Sequence, residues 1–97
     1  MPEDMWYRVD LSIRANIQDE ALREIQLRAN TYAIVDTVEA NRDTDAGDCH
    51  FRARTDAPSV VAALGSVLTV IAQVSGQIGL VQEGSLNRVI VEREDQA

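Results

Sequence analysis

The chain has one histidine, one cysteine and nine basic residues, all of them arginine, so its chemistry must come from a short inventory. His50 is the one side chain that ionises near neutral pH, and a general-base role is open to it in principle. No positioned carboxylate and nucleophile accompany it in the sequence, and a lone strand histidine between cationic neighbours reads better as a solvated or interfacial residue. Cys49 precedes it. Its position in an alternating segment predicts a small hydrophobe facing a core, and one cysteine beside one histidine makes a poor metal set. Asp43, Asp45 and Asp48 are spaced like calcium ligands, but no glutamate closes a twelve-residue loop, so turn formation accounts for them. No catalytic residue, metal or cofactor is expected.

The arginines are the stronger feature. Arg8 and Arg14 share one side of an alternating segment, Arg52 and Arg54 share one side of another, and His50 falls in line with the second pair. If the two segments pair, four guanidiniums and His50 meet on one sheet face, with Asp10 and Asp48 able to join them. Solvated cross-strand ion pairs are one outcome, worth a few tenths of a kcal/mol each. The other is a face that binds: Arg8, Arg14, His50, Arg52 and Arg54 are the candidate binding or interface residues.

The elements that position these residues follow from periodicity. Tyr7 to Ala15 alternates as a half-buried strand. Asn16 is expected to cap a helix with Ile17, Ala21, Leu22, Ile25 and Ala29 on one stripe, ending near Asn30. Tyr32 to Asn41 is β-branched with a faulty alternation, which predicts a strand with a bulge near Asp36. The run Asp43 to Asp48 turns the chain, and Cys49 to Thr55 alternates again with Phe51 inward. Asp56 and Pro58 are expected to open a second helix that runs to a stop at Ser75-Gly76. Ile78 to Gln82, a turn at Glu83 to Ser85, and Arg88 to Glu92 complete the chain, either as one last strand or as a short hairpin.

The resulting order, β-α-β-β-α-β, is that of a ferredoxin-like α+β sandwich: an antiparallel sheet with two helices on one face and strands one and three in the centre, with the hairpin as an extra C-terminal strand. Residues 1–97 form one domain on this reading, with 1–5 and 94–97 frayed. The fold hosts many functions and licenses none alone. Paired aromatics for RNA, a cysteine pair for a metal chaperone and a glycine-rich phosphate cradle are all missing from the positions that would carry them.

Composition narrows the partners. Nine basic and sixteen acidic residues give a net charge of −7, which argues against nucleic acid and anionic membrane surfaces. No charge occurs from Ala57 to Gln82, long enough to span a bilayer, but serines, glycines and glutamines interrupt the run, which argues against a span. The acidic start lacks the pattern of an export signal, and the single cysteine fits a reducing, cytoplasmic setting. The expectation is a non-catalytic binding or assembly module, homo-oligomeric because a helix without charges exposes more apolar surface than 97 residues can bury alone, with a protein partner as the other candidate. A small-molecule sensor similar to the ACT type, or a minor enzyme, with its ligand at a dimer interface, is the alternative.

Overall fold

The computed structural model describes residues 5–15, 17–42, 48–78 and 84–94. Its elements are β1 (Met5–Ala15), α1 (Asp19–Ala29), β2 (Thr37–Arg42), β3 (Cys49–Ala57), α2 (Val60–Gln77) and β4 (Gly84–Arg93). They make an α+β structure with one antiparallel sheet in the order β2-β3-β1-β4. Strands β1 and β3 are central.

One side of the sheet carries the core. Val9 and Leu11 from β1, Phe51 and Ala53 from β3, and Val38 from β2 are buried with Leu22 and Ile25 of α1 and Val67, Val70 and Val74 of α2. Period-two apolar residues on strands and i, i+3, i+7 residues on helices leave one solution: both helices lie over that side. The other side keeps the charged residues.

Both helix starts differ from expectation. In α1 the N-cap is Gln18, with no side-chain cap; Asn16 lies outside the described residues, and Ile17 is buried ahead of the helix. In α2 the cap is Ser59, whose Oγ accepts from the Ala62 amide at 3.1 Å. Asp56 stays in β3 because its backbone pairs with Trp6, and strand pairing outcompetes a local cap. Ser59→Ala should therefore destabilise by about 1 kcal/mol and Asp56→Ala by less than half of that. Urea midpoints of the two variants check the order.

The remaining differences have similar causes. Strand β2 is shorter than expected, because Tyr32 to Asp36 forms turns, with Tyr32 and Val35 amides donating to Ala29 and Tyr32 carbonyls. The faulty alternation there reflects this turn and not a bulge at Asp36; the register irregularity in the sheet falls between Ser12 and Ile13, against β4. Helix α2 continues through Gly76 to Gln77, with Ile78 as its C-cap. The turn residues 43–47 and residues 79–83, which cover most of the first arm of the expected hairpin, lie outside the described residues; Gly84 and Ser85, expected in its turn, belong instead to β4. At the other end Glu94, expected in a frayed tail, donates its amide to the Trp6 carbonyl at 2.9 Å.

Candidate functional site

The outer sheet face is organised by register. Three rows of outward residues cross the sheet: Thr37, Arg54, Arg8 and Glu92; Glu39, Arg52, Asp10 and Ile90; Asn41, His50, Ser12 and Arg88. Arg8 and Arg54 stand directly opposite one another, an arrangement that repels unless an anion intervenes.

Glu94 intervenes. The Arg54 Nε donates to both carboxylate oxygens of Glu94, at 3.0 and 3.2 Å, and its Nη1 donates to Asp36 Oδ2 at 3.0 Å. Arg8 Nη2 reaches the same Glu94 at 3.8 Å. The Arg54 guanidinium also lies 3.9 Å from the centre of the Trp6 ring, a cation–π contact. One arginine thus ties β3 to the end of β4, the turn before β2 and the start of β1. Its hydrogen bonds to Glu94, then to Asp36, raise its pKa above the ordinary arginine value.

The second row repeats the pattern with fewer members. Arg52 Nε donates to Asp10 Oδ1 at 2.9 Å, and this bond raises the Arg52 pKa. His50 Nε2 lies 3.7 Å from the same oxygen, so a protonated His50 would share the carboxylate with Arg52. Arg14 stands apart, near the far end of β1, where its Nε donates to Asp48 Oδ1 at 3.3 Å. Asp48 is buried and also accepts from Asn87 Nδ2 at 2.7 Å. The four arginines expected to meet do share a face, but each is held by a carboxylate.

Between the second and third rows Asp10, Ser12, His50, Arg52, Arg88 and Ile90 line an open cleft of about 220 Å³. A base is present there in His50. Ser12 lies across from it, in register. Among the described residues no group of three or more metal-ligating side chains is assembled.

Sequence reading missed Trp6, Asp36, Glu94 and Arg88. Trp6 and Glu94 carry the same outward parity as Arg8 and Arg88, so extending the alternation by one residue before Tyr7 and by two after Glu92 would have found them. Asp36 could not be found that way, because it belongs to a turn.

Cys49 lies on the core side, fully buried, and burial pushes its thiol pKa up from the ordinary value. A thiol harder to ionise when folded stabilises the fold below the unfolded pKa, about 8.5, and that contribution is lost as pH rises beyond it. Wild type and Cys49→Ala should therefore show a constant stability difference from pH 6 to 8 that narrows above about pH 9. Parallel denaturation curves at each pH measure it; a constant difference through pH 10 would contradict the burial.

No protein-family model matches the sequence, and no characterised protein matches it at a significant level.

Proposed function

We propose that the protein is a ferredoxin-like, non-catalytic assembly module that works as a homo-oligomer in the cytoplasm. The observation that carries this reading is the apolar surface left outside the core. Helix α2 has eighteen residues and no charge, with Val60 and Val61 exposed by 50% and 80%; on β4, Leu86 is 50% and Val89 38% exposed. Such surface is unfavourable in an isolated 10.7 kDa chain and is removed by closed association of identical copies. Helix α2 is long and apolar enough to cross a membrane by length and composition alone, yet one side of it packs into the core, which supports a surface helix.

The arginine face fits this reading as a scaffold. Arg8 and Arg54 share Glu94, Arg54 also holds Asp36, and Arg14 and Arg52 hold Asp48 and Asp10, so these four bring little unspent positive charge to a large polyanion. Light scattering should give at least twice 10.7 kDa at micromolar concentration; a monomer mass there would overturn the proposal.

The cleft beside His50 favours a sensor as the second reading. Phosphate, acetate and free amino acids at millimolar concentration are the probes, and a rise in Tm that His50→Ala abolishes would establish it.

A further inference from the structure

The two edges of the sheet are finished differently. On the β2 edge, side chains of α1 and of its C-cap occupy the backbone: Asn30 Oδ1 accepts from the Val38 amide and Asn30 Nδ2 donates to the Val38 carbonyl, both at 2.9 Å, while Gln26 Oε1 accepts from the Ala40 amide at 2.9 Å. Strand addition there is blocked. The β4 edge has no such cover among the described residues, although β4 is ten residues long and contains neither proline nor lysine. An open edge of this kind is a template for another strand.

The register fixes which backbone groups that edge presents. The Glu94 amide bonds Trp6, so Glu92, Ile90 and Arg88, in step with it, also turn their amides and carbonyls toward β1. Arg93, Val91 and Val89 consequently aim theirs at the open edge. An antiparallel partner must pair through those three residues.

The segment Arg88-Val89-Ile90-Val91-Glu92 has opposite charges at its ends and is apolar between them. Paired antiparallel with a second copy of itself about Ile90, it sets Val89 opposite Val91 as a hydrogen-bonded pair and Ile90 opposite Ile90 as a close, non-hydrogen-bonded pair. Arg88 then faces Glu92 twice over. Sliding the partner by two residues either way keeps the hydrogen-bonding parity but puts Ile90 opposite a charged residue. Among the described residues neither Arg88 nor Glu92 has an ion-pair partner within its own chain, while Arg8, Arg14, Arg52 and Arg54 all do.

We propose that two copies of this chain join β4 to β4 about Ile90, making one continuous eight-stranded sheet with Arg88 of each copy paired to Glu92 of the other. This deepens the homo-oligomer reading and rests on it. About four backbone hydrogen bonds cross the junction, with the Val89, Val91 and Ile90 side chains around them.

Sedimentation equilibrium up to about 100 µM separates the two proposals. The expected result is a wild-type dimer that Arg88→Glu weakens at least tenfold, because both contacts become repulsive, and that Arg88→Glu/Glu92→Arg restores to within about threefold. Circular dichroism establishes that each variant is folded, as both sites are exposed. A dimer indifferent to the single reversal overturns the β4 junction and leaves the homo-oligomer standing. A dimer weakened by the single reversal but not restored by the double overturns this register. A wild-type monomer at the top concentration, its edge then left for an extended segment of another protein, overturns both.

Discussion

Phe51→Ala should lower unfolding stability by about 3–5 kcal/mol, the largest effect of any single side-chain truncation in this chain. Phe51 is the bulkiest of the fully buried side chains, 1% exposed, and sits mid-strand between Leu11 of β1 and Ala40 of β2. Removing it deletes the apolar transfer energy of a ring and leaves a void that neighbours on a hydrogen-bonded sheet cannot move to fill. With stability of small domains near 5–15 kcal/mol, the variant should remain folded at low temperature but melt well below wild type. Equilibrium urea unfolding at unchanged slope measures the loss; a change under about 1.5 kcal/mol would mean that the ring lies outside the core.

Asn30→Ala should cost about 2 kcal/mol, an unusual amount for an exposed residue. The reason is that its amide satisfies three backbone groups at once: the Gln26 carbonyl at 2.7 Å, and the Val38 carbonyl and amide at 2.9 Å. Val38 is 2% exposed, so its freed groups cannot readily turn to water, and the unpaired donor carries much of the cost. Asn30→Asp keeps the acceptor and loses the donor, and should fall between. Hydrogen exchange at the Val38 amide reads the contact directly. Protection there should drop in Asn30→Ala and be largely kept in Asn30→Asp, and an unchanged rate in the alanine variant would contradict the bridge. The same substitution uncovers the β2 edge, so greater association at high concentration should accompany the loss of stability.

Sequence alone determined the strands with strict alternation, Tyr7 to Ala15 and Cys49 to Thr55, and with them the sorting of Val9, Leu11, Phe51 and Cys49 inward from Arg8, Arg52 and Arg54 outward. A period-two pattern has only one way to bury its apolar half, and that physical constraint is local. It also determined the two helices as amphipathic or apolar segments, and hence the α+β class. Their ends were decided elsewhere. Asp56 has the right chemistry for a cap, but β1 holds it in the sheet, leaving the role to Ser59; the Tyr32 to Asp36 turns are fixed by the Tyr32 amide bonding back to Ala29 of α1 and by two bonds with β3, the Asp36 amide to the Arg54 carbonyl and the Thr55 hydroxyl to the Ile34 carbonyl. Register lay beyond the sequence, because any even shift satisfies the same alternation. Only the tertiary structure decided that Arg8 faces Arg54, that Glu94 is placed to separate them, and that α1 seals the β2 edge while no described residue covers the β4 edge. Those relations join residues up to 86 positions apart, such as Arg8 and Glu94, and they depend on which strands pair, a choice set by the whole core.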